Sequence, residues 1–299
     1  MKNILKTYAL HKKFGLHSAL KDLNITIPKS SVYAILGPNG SGKSTTLGIL
    51  LKALRPSSGY FEWLDRKPKF NYIEKVGAML EQPKFYMYLN AIDNLAIIAK
   101  IKRVSNNGIE ESLKKVGLFN RRFDSLNTYS MGMIQRLGIA AAIFHSPDVL
   151  ILDEPTNGLD PEGITDIRNL ILNLSKDGLT IILASHLLSE VQMVSSHVCI
   201  LKKGSCLYEG NISEFINSKE NIFQLGSSNL DSLNVALVNF NKLNKIEKHK
   251  SGKYFIVHFN KDVFPDDISN YLAQKGVFLN HLVRQHSSLE DEFIEILKN

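Results

Sequence analysis

The stretch Gly37-Pro38-Asn39-Gly40-Ser41-Gly42-Lys43-Ser44 decides the fold of this chain. The apolar run Val32–Leu36 leads into it, and the segment from Thr46 to Leu51 follows with helical spacing. A buried strand, a tight glycine loop and a helix N-terminus direct several backbone N–H groups at one point, where the helix dipole favours negative charge. Glycine is required because a Cβ would obstruct an approaching phosphate. The stretch therefore predicts a polyphosphate-binding loop rather than an ordinary turn.

Two side chains of this loop are suited to separate tasks. Lys43 can reach the β- and γ-phosphates of a nucleotide, and the Ser44 hydroxyl is a ligand of the kind that Mg²⁺ prefers. We expect the whole stretch, together with Thr45, to bind a nucleoside triphosphate.

Composition limits the classes of protein that the chain can belong to. It has 299 residues, of which 44% are hydrophobic and 22% charged, as in ordinary soluble domains. No apolar run approaches the ~20 residues that span a bilayer, and no signal peptide is expected at the N-terminus. Cys199 and Cys206 lack metal-binding spacing, which favours reduced thiols in the cytosol. The net charge of +7 comes from scattered lysines, so direct nucleic-acid binding is not expected.

Two carboxylates end the apolar run Val149–Leu152. Asp153 and Glu154 would be costly to bury there without a cation. We therefore expect Asp153 to hold Mg²⁺, directly or through water, and Glu154 to accept a proton from the water that attacks the γ-phosphate. A purely structural pair of carboxylates at a turn is the alternative.

Two further polar residues are expected at the same edge of an α/β sheet, where ligands bind at strand ends. Gln82 follows the predicted strand Val76–Leu80 and is suited to contact the metal or the attacking water. His186 follows the strand Leu179–Ser185 and is suited to contact the γ-phosphate. Taken singly, each is also typical of an ordinary loop or strand end.

A second phosphate-binding point is predicted at Ser130 and Gly132, which open a helix that Pro147 must end. Ser130 as a simple helix cap is the alternative reading. An aromatic ring ahead of the phosphate loop could stack on adenine, and Phe14 is the better candidate, with Tyr8 second. Core packing explains either aromatic equally well.

The remaining pattern divides the chain into two parts. Residues 90–125 have helical periodicity, which predicts a helical insert whose apolar faces serve a partner protein or pack on their own core. The domain expected over residues 1–215 includes this helical subdomain, at about 85–145. Residues 216–299 predict a small α+β accessory domain, in which Ser251-Gly252-Lys253 is a hairpin turn rather than a second phosphate loop.

With these motifs in order, residues 5–215 resemble the ATP-binding subunit of an ATP-binding cassette (ABC) transporter. In this comparison Gln82 is similar to the Q-loop glutamine, His186 to the switch histidine, and the segment Gly158–Asp160 to the D-loop. The family signature Leu-Ser-Gly-Gly-Gln corresponds here to Tyr129-Ser130-Met131-Gly132-Met133, of which only Ser130 and Gly132 match. That departure resembles the branch that serves peptide-antibiotic export, immunity and multidrug efflux.

The resemblance implies a P-loop ABC-type fold: a mixed sheet, an antiparallel β subdomain and a helical subdomain. It also implies that two such domains sandwich ATP head to tail, so that Ser130 and Gly132 of one chain face the γ-phosphate held by Lys43 of the other. A homodimer, or a heterodimer with a related ATPase, would drive a separate membrane permease docked at the helical insert and the Q-loop. The expected location is the cytoplasmic face of the cell membrane.

Two other functions are weighed against an energy-coupling ATPase of an exporter. Soluble ABC proteins of translation carry two cassettes in one chain, and those of DNA repair carry a long coiled-coil insertion; this chain has one phosphate loop and a short insert. A nucleotide sensor without hydrolysis is expected to lack Glu154 or His186, and both are present.

Overall fold

The computed structural model describes residues 2–63, 72–80, 83–216, 221–285 and 288–298. The chain divides into two compact units, Met1–Ile212 and Ser213–Asn299. The sequence puts the boundary close by, between residues 215 and 216. Each unit has its own hydrophobic core.

The described part of the first unit contains two sheets. Their strands are β1 (Asn3–Phe14), β2 (His17–Leu23), β3 (Thr26–Pro28), β4 (Val32–Leu36), β5 (Ser58–Trp63), β6 (Val76–Met79), β7 (Val149–Asp153), β8 (Thr180–Ser185), β9 (His197–Lys202) and β10 (Ser205–Asn211). One sheet has the order β10-β9-β4-β8-β7-β6, in which β10 alone is antiparallel to its neighbour. In the other, β1 pairs antiparallel with β2, β3 and β5.

Burial explains the strands of the mixed sheet. All residues of β4, β7 and β8 are buried, as expected for parallel strands covered on both faces. Because β7, β8 and β4 are parallel and adjacent, the segments that follow them emerge at one sheet edge. The phosphate loop, Glu154 and His186 are therefore brought to the same edge.

Helices cover this sheet and form the insert. They are α1 (Lys43–Leu50), α2 (Ala91–Lys102), α3 (Ile109–Lys115), α4 (Met131–Ile143), α5 (Pro161–Lys176) and α6 (Leu188–Val194). A short helix, α7 (Ile212–Ile216), begins at the last residue of the first unit. The insert of α2 and α3 packs on α4, and α4 packs on β6. Within the described ranges, none of the helices combines the length and the apolar character that a membrane crossing requires. The mixed sheet, the antiparallel sheet and the helical insert confirm the predicted fold class.

The second unit is more regular than the sequence indicates. Its elements are β11 (Asn221–Ser227), α8 (Leu230–Val238), β12 (Leu243–Lys248), β13 (Phe255–Phe259), α9 (Pro265–Gln274), β14 (Leu279–Gln285) and α10 (Leu289–Lys298). The sheet order is β12-β13-β11-β14, antiparallel throughout, which is the ferredoxin-like arrangement of a split βαβ unit. Helices α8 and α9 cover one face, where Phe223, Val257 and Phe259 are buried.

Candidate nucleotide-binding site

The phosphate loop connects β4 to α1, and its glycines fit close backbone contacts. A Cβ on Gly37 would lie 2.4 Å from the carbonyl oxygen of Leu201. Gly42 is the N-cap of α1 with φ +111°, and a Cβ there would lie 2.7 Å from the Ala19 carbonyl oxygen. Neither position accommodates a larger residue without movement of β2 or β9. The loop is thus held against the two sheets by backbone contacts that only glycine permits.

Further hydrogen bonds hold the loop in shape. The Ser41 N–H donates to the Pro38 carbonyl at 3.1 Å, and the Gly204 N–H donates to the Ser41 carbonyl at 3.0 Å. The Lys43 side chain is only 7% exposed, and its Nζ donates to the Gly37 carbonyl at 2.8 Å. The lysine side chain therefore folds back over the loop, and its ammonium group lies at Gly37, the first residue of the loop.

A cavity of about 680 Å³ opens in front of this loop. Its volume is in the range of small-molecule sites. The residues that line it come from the β1–β2 hairpin, the phosphate loop and the start of α1, the segment after β6, α4, and the end of β7 with the segment that follows it: Phe14, His17, Ala19, Asn39, Gly40, Ser41, Gly42, Lys43, Ser44, Thr45, Lys84, Gln135, Asp153, Glu154 and Asn157. The structure therefore brings together most residues that the sequence assigns to nucleotide and metal.

The aromatic candidates are separated by the structure. Phe14 ends β1, is 47% exposed and lines the cavity. Tyr8 stacks instead on Tyr60, with ring centroids 4.6 Å apart, and its hydroxyl donates to Glu62 at 3.1 Å. Only Phe14 of the two has a ring face available to a base in this cavity.

The carboxylates lie where β7 ends. Asp153 is 6% exposed and lines the cavity beside Ser44. Glu154 follows with φ +49°, a left-handed conformation that is uncommon outside glycine, asparagine and aspartate. Its N–H donates to the Ala184 carbonyl at 2.9 Å, which ties it to β8. This turn aims the Glu154 carboxylate across the sheet edge.

His186 meets that carboxylate. The His186 Nδ1 lies 2.7 Å from Glu154 Oε2, and its backbone N–H donates to the same oxygen at 3.3 Å. The histidine ring is half exposed, whereas the Glu154 side chain is 22% exposed. The pair predicted from two strand ends is therefore in direct contact. Gln82, the third residue expected at this edge, lies outside the described residues.

Ser130 and Gly132 lie in a different cavity, of about 430 Å³. They share it with Gly158, Leu159 and Asp160, and with no residue of the phosphate loop. The Ser130 Oγ accepts a hydrogen bond from the Met133 N–H at 3.2 Å, so it also caps α4. Within one chain, the structure does not bring the two predicted phosphate-binding points together.

Of the three residues that depart from the family signature, Tyr129 and Met133 have structural roles, whereas Met131 is exposed and lines the Ser130 cavity. Tyr129 is 9% exposed, its hydroxyl donates to the Arg121 carbonyl at 2.7 Å, and burial raises the pKa of that hydroxyl. Met133 is equally buried, with its sulfur 3.8 Å from Arg121 Nη1. Both side chains contact Arg121, and neither lines the Ser130 cavity.

Four polar residues that line the cavity were given no site role from the sequence: His17, Lys84, Gln135 and Asn157. Gln135 differs from the others because it is buried on α4, with 3% of its surface exposed. A glutamine on the apolar face of a helix that starts at Ser130 is the signal that the sequence offered.

Comparison with known proteins agrees with this geometry. The family model described as "ABC transporter" matches residues 20–157. The bacitracin transport ATP-binding protein BcrA of Enterococcus faecalis is 34% identical, over 99% of this chain and 97% of that protein. The chain belongs to the family of ABC transporter ATP-binding proteins.

Two other members of the ABC family extend the comparison. The lantibiotic transport ATP-binding protein SrtF of Streptococcus pyogenes is 39% identical, over 72% of this chain and 97% of that protein. The dimeric structure of the ATP-binding cassette MJ0796 in a post-hydrolysis state with ADP and Pi superposes with a TM-score of 0.61 and 26% identity, over 70% of this chain and 99% of that one. The match to BcrA includes the second unit, because it spans nearly the whole chain.

Membership in the ABC family defines the activity. The chain is an ATP-binding, ATP-hydrolysing subunit that couples hydrolysis to membrane transport. A soluble ABC ATPase unconnected with transport is not favoured, because the relatives named above are transport subunits.

Proposed function

We propose that this ABC subunit powers the export of a peptide antibiotic through a separate membrane permease. The observation that carries the proposal is the cavity that joins the phosphate loop to Asp153 and Glu154, in a chain related over its whole length to a bacitracin transport protein. The related lantibiotic transport protein supports the same substrate class. The protein would work at the cytoplasmic face of the cell membrane.

In the proposed site, ATP lies with its triphosphate on residues Gly37–Thr45 and its adenine on Phe14. Lys43 leaves the Gly37 carbonyl to meet the β- and γ-phosphates. Loop N–H groups at the start of α1 neutralise the remaining phosphate charge. The Phe14 ring supplies a stacking face at the open side of the cavity.

The residues present fit a bound Mg²⁺. The Asp153 carboxylate and the Ser44 hydroxyl line one cavity and are oxygen donors, which suit a cation that also binds phosphate oxygens. Among the described residues, no group of three or more His, Cys, Asp or Glu side chains could hold a metal alone. That is typical of a magnesium ion bound together with nucleotide. Such an ion would neutralise charge on the transferred phosphate, and Gln82 would complete its surroundings.

Glu154 is proposed as the general base for the attacking water. Its Oε2 contacts His186 at 2.7 Å, so the histidine can hold the carboxylate and, on its other side, face the γ-phosphate. Transfer of a water proton to a positioned carboxylate contributes about 10²–10⁴-fold to a rate. The two residues thus divide the work between accepting the proton and orienting the acceptor.

The working unit is proposed to be a head-to-tail dimer, of two copies or of this chain with a related ATPase. Support comes from the separation of the two cavities, because the cavity that Ser130 and Gly132 line shares no residue with the cavity at the phosphate loop of the same chain. A second subunit would bring its Ser130 to the γ-phosphate. The dimeric MJ0796 cassette supports this assembly.

The permease is proposed to dock on exposed apolar side chains ahead of and within the helical insert. Tyr86, Met87 and Tyr88 are 53%, 40% and 72% exposed, and Ile101 and Phe123 are also exposed. Exposed apolar groups of this kind mark interaction sites. Hydrogen bonds between Asn94 and the Tyr86 backbone, at 2.8 and 3.1 Å, hold the segment in place. Residues 216–299 are proposed as an accessory domain without chemistry of its own.

Variants of the base and the lysine test the ATPase assignment. We expect Glu154→Gln to lose hydrolysis by at least about 10²-fold while it still binds ATP, and to accumulate as an ATP-bound dimer in light scattering. Lys43→Ala is the matched control, which should lose ATP affinity as well as turnover. Wild-type hydrolysis by Glu154→Gln would contradict the role of the base.

Export is tested in cells. A strain that carries this protein together with its permease should tolerate bacitracin or a lantibiotic at concentrations that inhibit the strain with Glu154→Gln. Equal sensitivity of the two strains to both peptide classes, with both proteins expressed and the wild-type ATPase active, would refute the proposed substrate class.

A further inference from the structure

Gln135 is a buried polar side chain in the nucleotide cavity that the proposed mechanism does not use. It lies on α4 with 3% of its surface exposed, and it lines the cavity together with Asp153 and Glu154. Burial of an amide is unfavourable unless the amide is hydrogen-bonded. The contacts of Gln135 therefore indicate why a glutamine stands at this position.

The amide holds the backbone next to the base. Gln135 Nε2 donates to the Pro155 carbonyl at 3.1 Å, in a buried contact between residues 20 positions apart. Pro155 directly follows Glu154. The other amide atom, Gln135 Oε1, is buried and has no hydrogen-bond partner among the described residues. The amide N–H group of Gln135 is therefore used in a hydrogen bond, whereas its amide oxygen accepts none from the described residues.

The turn that Gln135 contacts is one that needs support. Glu154 has φ +49°, a conformation that a glutamate rarely adopts. On one side the turn is tied to β8, through the Glu154 N–H and the Ala184 carbonyl. On the other side it is tied to α4 through Gln135. The Glu154 carbonyl also accepts from the Asn157 N–H at 3.1 Å, inside the turn. Without Gln135, the Pro155–Thr156 peptide loses its contact with α4, so the turn can shift and move the Glu154 carboxylate.

We propose that Gln135 is a positioning residue for hydrolysis, which fixes the Glu154–Pro155 turn so that the Glu154 carboxylate faces the attacking water. This role rests on the proposed function of Glu154 as general base. Gln135 itself touches neither nucleotide nor water in this role. It acts through the Pro155 carbonyl, so its loss is expected to lower the rate of hydrolysis and to spare the binding of ATP.

The first test removes the donor. Gln135→Leu keeps a similar volume but cannot donate to Pro155, and we expect its kcat for ATP to fall about tenfold or more, because small misplacements of a catalytic group are costly. The KM and the Kd for ATP should stay within about twofold, since the phosphate loop is untouched. Gln274→Leu, an identical change at an exposed position of α9, is the control and should leave both constants unchanged.

The second test makes the donor depend on pH. In Gln135→Glu, a protonated carboxyl can donate to Pro155 and an ionised one cannot. Burial and the carboxylates of Asp153 and Glu154 raise the pKa of the introduced group, whereas Lys43 and Lys84 lower it. Activity relative to wild type should therefore recover as the pH falls from about 8.5 to about 6, in a profile that Gln135→Leu does not show.

The outcomes separate this role from the proposed function. Undiminished turnover by Gln135→Leu, beside an inactive Glu154→Gln, overturns the role of Gln135 alone. A parallel loss of ATP affinity and turnover in Gln135→Leu overturns it too, because the change then acts on the fold. If Gln135→Leu does not fold, a pH profile of Gln135→Glu that parallels the wild type is sufficient to overturn it. A wild-type protein without ATPase activity contradicts both proposals.

Discussion

Gly42 offers the most direct test of how the phosphate loop is built. It caps α1 with φ +111°, and a Cβ at this position would lie 2.7 Å from the Ala19 carbonyl oxygen and 2.7 Å from Leu20 Cδ2. Gly40, two residues earlier, has φ +76° and open space where its Cβ would be. The substitutions Gly42→Ala and Gly40→Ala therefore share the conformational strain of an alanine at positive φ and differ in the collision.

The two terms can be estimated separately. An L-residue in the left-handed region costs about 1–2 kcal/mol, which is the whole loss expected for Gly40→Ala. Collision with the β2 backbone adds about 1–3 kcal/mol for Gly42→Ala, in the range of overpacked sites. We expect Gly42→Ala to lose about 2–5 kcal/mol of unfolding free energy. Because the Lys43 and Ser44 amides follow directly, its ATP affinity should fall as well.

The single tryptophan makes the measurement specific to the first unit. Trp63 lies in β5, is 3% exposed and belongs to the core of that unit, so its fluorescence during urea unfolding reports this unit alone. The free energies from this signal should differ by about 1–3 kcal/mol between the two variants. Equal losses for Gly40→Ala and Gly42→Ala would refute the packing argument.

Three further changes are expected to have measurable effects. Phe14→Ala should weaken ATP binding in calorimetry by about 1–3 kcal/mol and leave tripolyphosphate binding unchanged. The control Leu16→Ala should leave the binding of both ligands unchanged, because of these two residues only Phe14 lines the cavity. Burial, with a contribution from Lys102, lowers the pKa of His145 to about 4 from 6.5. Between these pH values the unfolded chain binds a proton at His145 that the folded chain does not bind, so the free energy of unfolding should fall as the pH drops from 6.5 toward 4. Urea unfolding at pH 7 and pH 5 should show a smaller fall in His145→Gln than in the wild type. Asp160→Ala removes the cap that accepts from the Gly163 N–H at 2.9 Å and should cost about 1 kcal/mol in the same assay, whereas Asp160→Asn retains it.

Much of the first unit could be predicted from sequence because its signals are local. Fully buried strands such as Val149–Asp153 are apolar runs, and their polar ends lie at one sheet edge wherever the strands are parallel. This reasoning places Glu154 and His186 at one sheet edge from the sequence alone, and in the structure His186 Nδ1 lies 2.7 Å from Glu154 Oε2. The sequence ranks Phe14 above Tyr8 without separating them, because both are aromatic residues of one strand. In the structure Tyr8 stacks on Tyr60, whereas Phe14, at the end of β1, lines the cavity.

The second unit was harder, because its strands pair across long separations. The strand β11 lies between β13 and β14, and β12 and β14 have exposed and half-buried residues without a clear alternation. The helix α8 is mainly apolar, but the asparagines and lysines on either side of it dominate residues 226–253, and no helix is predicted there from the sequence. Gln135 was given no role in the site for a different reason. A polar residue in an apolar helix is read as surface until the structure shows which backbone group it meets.

The separation of the Ser130 cavity from the phosphate loop has a genetic consequence. In a head-to-tail dimer of two copies of this chain, which is one of the two proposed assemblies, each ATP site takes its loop and base from one copy and its Ser130 from the other. A chain disabled at Glu154 and a chain disabled at Ser130 are each inactive as pure dimers. Paired with each other, they concentrate both defects in one site and leave the second site with intact parts. Two null alleles of this gene, expressed together, should therefore complement, which alleles of a self-contained active site cannot do.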